Sequence, residues 1–197
     1  MEKFYLEEPT MARKEDVLDY MREHEAFHSN INGSGGLDRV LRGQSYEDCL
    51  ERCLKMSDAA FAQSVNRCPG KTFLLIRQSD RRLVGMINVR HHLNEAMQRF
   101  GGHIGYGIRP TERRKGYNKI NLYLGLIKAR EEFGLDRVMI DCAADNLGSD
   151  KTIRALGGVL ERCEIDPSDG ELTNVYWIDV NEAIERYRAD YEDQIIV

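Results

Sequence analysis

The chain has 197 residues, 42% of them hydrophobic, with 33 acidic side chains against 28 basic ones and a net charge of -5. That balance fits an ordinary globular protein, disfavours a nucleic-acid role because phosphate-backbone affinity needs many Lys and Arg contacts, and leaves no apolar run near the roughly 20 residues that span a bilayer. The acids in Met1–Glu8 stand where a signal peptide would be basic and apolar, so a cytoplasmic location is expected, and the odd count of five cysteines without a Cys-x-x-Cys pair argues against a disulfide framework.

In chain order, Phe4 to Leu6 reads as a strand, and Val17, Leu18, Met21 and Phe27 give a helical face. Asn30 to Gly36 reads as a flexible Gly-rich loop. Ser45 is placed to cap a second helix carrying Cys49, Leu50, Cys53 and Leu54, its cysteines read as core rather than half a metal site. Thr72 to Gln78 and Leu83 to Arg90 flank the polar turn Ser79-Asp80-Arg81-Arg82 and predict an antiparallel hairpin; His91 to Phe100 comes next as a longer polar connection.

Then Gly102-His103-Ile104-Gly105-Tyr106-Gly107-Ile108 alternates apolar and small residues like a half-buried strand with one uncluttered face. Pro110 ends it. After the basic turn Arg113-Arg114-Lys115-Gly116-Tyr117-Asn118, an apolar-striped helix runs to Phe133 and closes on Gly134. The first four N–H groups of a helix lack intrahelical acceptors and the dipole adds positive character there, so a turn in this place suits an anion. Gly116, with no Cβ, lets the backbone approach phosphate oxygens. Val159 to Cys163 and Leu172 to Asp179 read as further strands, with Ile184, Tyr187 and Tyr191 at helical spacing after them.

The pattern Pro110-x-x-Arg113-x-x-Gly116 resembles the acyl-CoA pyrophosphate turn of the GNAT superfamily of N-acetyltransferases. The strand Arg137–Cys142, the loop to Asn146, the short helix to Leu156 and the stop at Gly157-Gly158 resemble the next strand, Asn-led helix and final strands of that family. Arg90-His91-His92-Leu93-Asn94-Glu95 and Gly101-Gly102-His103-Ile104-Gly105-Tyr106 are similar to a bacterial subgroup of predicted acetyltransferases. The similarity covers residues 71 to 179 well. It implies an α/β (α+β) fold, a mixed and mostly antiparallel central sheet with helices on both faces. One domain is expected: an N-terminal strand and helices to residue 70, a cofactor-binding core over 71–179 and a C-terminal helix over 180–197.

The resemblance further implies acetyl-CoA as co-substrate, with Ile108, Arg113, Arg114, Lys115, Gly116, Tyr117, Asn118 and Asn146 at the cofactor, Asn146 on the pantetheine arm. Two departures stand out. Asn118 occupies a position the family gives to Gly or Ala, where its side chain would either hydrogen-bond near the helix start or crowd the diphosphate. Ile153 stands where many relatives carry a Tyr that protonates the departing thiolate.

Direct attack of a neutral amine on a thioester needs a proton acceptor and hydrogen-bond donors at the carbonyl. His103, two residues before Gly105-Tyr106 where relatives place a Glu, is the expected base, with a half-buried structural His as the competing view. Glu95 and His92 are candidates to line the acceptor side and draw in a cationic amine or relay its proton through water, Glu95 as a second catalytic residue, or else to sit on a solvated loop. His91, His92 and His103 lack the spacing of a metal site, so no metal is expected. The acceptor is read as a small-molecule or peptide amine. Trp177 and the C-terminal Tyr residues are read as core or dimer packing, which leaves room for a homodimer. The competing functions are a non-catalytic acyl-CoA-binding or sensing module and, more weakly, binding of another phosphate-bearing nucleotide.

Overall fold

The computed structural model describes residues 2–197. Strands β1 (Phe4–Glu7), β2 (Gly70–Arg77), β3 (Leu83–Arg90) and β4 (Ile104–Ile108) lie side by side in that order, each pair antiparallel. A second antiparallel sheet has β5 (Arg137–Ala143) and β6 (Val159–Ile165) on either side of β7 (Leu172–Asp179). The α/β fold with a mostly antiparallel sheet expected from the sequence is present, but as two sheets, antiparallel throughout, that meet at β4 and β5 rather than one mixed sheet.

Both faces of the first sheet are covered, so its central strands are continuous apolar runs rather than alternating ones. On β2, Phe73 and Leu75 join a core with Leu122, Leu126 and Ala129 of α5 (Tyr117–Phe133). Leu74 and Ile76 face the other way, into a core with Val17, Tyr20 and Met21 of α1 (Lys14–Ala26) and with Cys49, Leu50 and Cys53 of α2 (Tyr46–Lys55). α5 is buried on most of its circumference, Ile120 through Ile127 without a break, which explains why its sequence carries two apolar stripes instead of one. It ends at Gly134 in the left-handed region, as expected.

The other helices are α3 (Ala59–Ser64), α4 (Glu95–Arg99), α6 (Leu147–Ala155), α7 (Val180–Arg186) and α8 (Arg188–Tyr191). Three local expectations are corrected. The connection His91 to Phe100 contains α4, started by Asn94, whose side chain accepts a bond from the Met97 N–H; so short a helix cannot show a helical period. Phe27, expected on the buried face of α1, is 58% exposed just beyond the helix end. The loop Asn30 to Gly36 is packed across β4: Gly33 has φ +76°, and a Cβ there would stand 2.7 Å from the Gly105 carbonyl oxygen. Close approach, not chain freedom, is the use of that glycine.

Cys49, Cys53, Cys68 and Cys142 are buried free thiols and Cys163 an exposed one. Among the described residues, no group of three or more His, Cys, Asp or Glu could hold a metal ion. No described helix is long and apolar enough to cross a membrane.

Candidate functional site

Beyond β4 the chain makes one 3-10 turn over Pro110–Glu112 and reverses into α5 with Arg114 at φ +63° and Gly116 at φ +83°. Helices α2, α3, α4, α6 and α7 each begin with a Ser, Asp or Asn side chain that accepts a backbone N–H. α5 begins at Gly116 with no such cap. The amides of Arg114, Lys115, Gly116, Tyr117 and Asn118 find no acceptor among the described residues. Five consecutive donors at a helix N-terminus, with open space where a Cβ of Gly116 would be, form a cradle for a diphosphate.

The side chains of the turn are less free than its amides. Arg113 turns back, its Nε 3.0 Å from the Ile108 carbonyl oxygen and its Nη2 2.6 Å from Ser29 Oγ. Lys115 is paired with Glu112 at 2.7 Å. The Tyr117 ring packs on Phe4, centroids 4.6 Å apart. Ile108 is buried in the core. Only Arg114 of the three cations is exposed and without a side-chain partner among the described residues. Asn118 is half-buried, its Oδ1 enclosed and lacking a donor. Glu112, 4% exposed, also holds Arg77 at 3.0 Å. Burial works to raise its pKa, but the bonds from Lys115 and Arg77 outweigh it and keep the carboxylate ionised.

β4 and β5 are joined at one end. The His103 N–H donates to the Met139 carbonyl at 2.8 Å, and the Met139 N–H donates to His103 Nδ1 at 2.9 Å. From there the strands separate. The bonds Arg90 N–H to His103 O and Arg109 N–H to Val84 O put the odd residues of β4 on the β3 side, so the main-chain groups of Ile104 and Tyr106 face the gap. Across it, the Tyr106 hydroxyl lies 2.7 Å from Ser149 Oγ on α6. Burial pushes the Tyr106 pKa up and keeps this hydroxyl protonated. Asn146 starts α6: its Oδ1 accepts the Ser149 N–H at 3.1 Å, and its Nδ2 has no acceptor among the described residues. Ile153 is fully buried in the core and cannot reach a ligand.

The expectation of a base at His103 does not survive this geometry. A neutral imidazole that accepts a hydrogen bond at Nδ1 carries its hydrogen on Nε2 and has no lone pair left to take a proton. Burial, and then the Arg90 charge, lower its pKa to about 4. His103 pins the two sheets together. Glu95 is exposed in the first turn of α4, and it is the neighbours Asn94, Ala96 and Met97 that line the adjacent cavity.

That cavity, about 690 Å³, lies over the ends of β2 and β3 at Gly70, Asn88 and Arg90, on the face opposite α5 and under the loop Ile31–Gly36. Among its lining residues is Arg90, on the last position of β3, which the sequence does not single out. Its Nε donates to Asn88 Oδ1 at 3.0 Å, and its Nη2 is 2.9 Å from where a Cβ of Gly105 would stand. The guanidinium thus lies over the sheet face at Gly105 of β4. A strand-end arginine gives no periodic signal, so only the fold reveals it.

A family model described as the acetyltransferase (GNAT) domain matches residues 12–159. The chain belongs to the GNAT family. It is therefore an acetyl-CoA-dependent acetyltransferase. Among solved GNAT structures, its fold is similar to a ribosomal-protein-S5-alanine acetyltransferase from Vibrio fischeri, at 15% identity and TM-score 0.65, covering 91% of this chain and 94% of that one. A ribosomal L7/L12 alpha-N-protein acetyltransferase in complex with coenzyme A is 17% identical with TM-score 0.60, covering 89% and 94%. The microcin C7 self-immunity acetyltransferase in complex with acetyl-CoA and AMP is 14% identical with TM-score 0.62, covering 89% and 91%. At these identities the likeness is one of fold. The sequence matches no curated protein significantly.

Proposed function

We propose that the chain transfers the acetyl group of acetyl-CoA to a primary amine by direct attack, with no covalent enzyme intermediate. The observation that carries this is the row of five unpaired amides at residues 114–118, set beside the gap between β4 and β5. Those amides would hold the diphosphate, and the gap-facing main-chain groups of Ile104 and Tyr106, with Asn146 Nδ2, would hold the pantetheine arm. Acetyl-CoA supplies an activated thioester carbonyl.

The chain's own contribution is to orient, to donate hydrogen bonds and to move protons. The Tyr106–Ser149 hydroxyl pair bridges the gap and takes the proton-donating role that the family gives to a Tyr at the position of Ile153. No base is assigned to His103 or Glu95; the amine's proton leaves through solvent. A sensing module without catalysis would keep the amide row and bind acetyl-CoA without releasing thiol.

Thiol release from acetyl-CoA, measured over a panel of amines, tests the proposal. Amine-dependent release is expected, lowered about a hundredfold in Tyr106→Phe combined with Ser149→Ala. Binding of acetyl-CoA without release on any amine would overturn it in favour of a sensor.

A further inference from the structure

The charge lining the cavity runs against the charge of the chain. In a protein with a net charge of -5, the charged residues around this cavity are Arg39, Arg42, Arg52, Arg67, Arg90 and Asp38. Asp38 is already engaged, by Ser34 Oγ at 2.5 Å and by Arg42 at 3.6 Å. Arg39, Arg52, Arg67 and Arg90 have no carboxylate within 4.0 Å among the described residues.

Arg90 points most clearly to a ligand. It lies at the floor of the cavity against β4, bonded through Nε to Asn88 Oδ1, with Nη1 on the Met97 sulfur at 3.0 Å and Nη2 without an acceptor. Arg90 is half-buried; burial lowers its pKa while the charge of Asp141, which accepts the Gly101 N–H and makes no ion pair with Arg90, works the other way. A planar fork of donors in this state is suited to a carboxylate or a phosphate.

Resting on the acetyltransferase reading, we propose that the acceptor is a small primary amine that also carries a carboxylate or phosphate, held by Arg90 and Arg52 in this cavity. About 690 Å³ is the size of a pocket for a small molecule rather than a groove for a folded partner. The same charge helps the chemistry: a cationic lining disfavours a second positive charge, so it lowers the pKa of the arriving ammonium and raises the fraction present as neutral nucleophile. In the transfer, the amine nitrogen bonds to the acetyl carbon, the carbon–sulfur bond breaks, the amine's proton passes to solvent, and the sulfur leaves as thiolate and is protonated. A strong protein base is not needed for that balance.

The test compares glutamate and phosphoethanolamine with ethanolamine and spermidine as acceptors, the first two separating a carboxylate from a phosphate. The anionic amines are expected to show kcat/KM at least about a hundredfold higher, a preference that shrinks with added salt. Arg52→Gln and Arg90→Gln are expected to raise KM for them about tenfold, with a smaller change in kcat; Arg52 stands away from β4, so its variant guards against a folding defect at Arg90. Turnover favouring spermidine or ethanolamine overturns the inference and leaves the acetyltransferase reading intact. If no amine is turned over, that reading fails, and calorimetric titration of phosphoethanolamine into the CoA-saturated protein decides the inference alone: binding lost in Arg52→Gln supports it, and absence of binding overturns it.

Discussion

His103→Gln separates a sheet-pinning histidine from a catalytic one. The folded pKa of the ring, about 4, lies below the ordinary 6.5, first because it is buried and then because Arg90 is near. Between those values the unfolded chain binds a proton that the folded chain excludes. The resulting stability is fully present above pH 6.5 and is lost as pH falls toward 4. For one site with this shift the difference between pH 7 and pH 5 would be about 2 kcal/mol, and solvent around a half-buried ring reduces that to about 1 kcal/mol.

His24 is also buried with a lowered pKa and adds its own acid loss, so the variant must be read against the parent. Urea unfolding at pH 7 and pH 5 is expected to show the parent losing about 1 kcal/mol more than His103→Gln across that interval. At pH 7 the variant should itself be less stable by about 1 kcal/mol for the lost Met139 bond. Its kcat/KM should stay within about tenfold of the parent, whereas loss of a general base costs roughly a hundredfold or more. An unchanged pH slope of stability, or a rate loss of that larger size, would refute the reasoning.

Two further outcomes concern the turn. Gly116→Ala places a Cβ in open space at φ +83°, so it should cost only about 1 kcal/mol of stability in a thermal melt while weakening acetyl-CoA about tenfold or more by calorimetry; unchanged affinity would contradict the cradle. Glu112→Gln removes the buried carboxylate that Arg77 and Lys115 share, and urea unfolding should show a loss of about 3 kcal/mol, with less than about 1 kcal/mol counting against the network.

The elements of this fold announced themselves where the residues spoke locally. Ser45 and Asn146 are caps, Gly134 closes α5, and the hairpin around Asp80 has its turn between two apolar runs, all as the sequence predicts. What was hidden depends on distant partners. The basic turn reads as a set of cations for phosphate, yet Lys115 is taken by Glu112 in the preceding 3-10 turn and Arg113 by the end of β4 and Ser29, so the amides remain as the donors. His103 looks like a base until Met139, far along the chain, is seen to occupy its free nitrogen. The arginines of the cavity come from separate stretches of chain, and no window of sequence shows them as a cluster.

The most direct test tracks backbone amide signals by NMR as coenzyme A is titrated in. The amides of residues 114–118 are predicted to move together and to become protected from hydrogen exchange, since each gains an acceptor. Saturable binding that leaves those five signals in place would contradict the account.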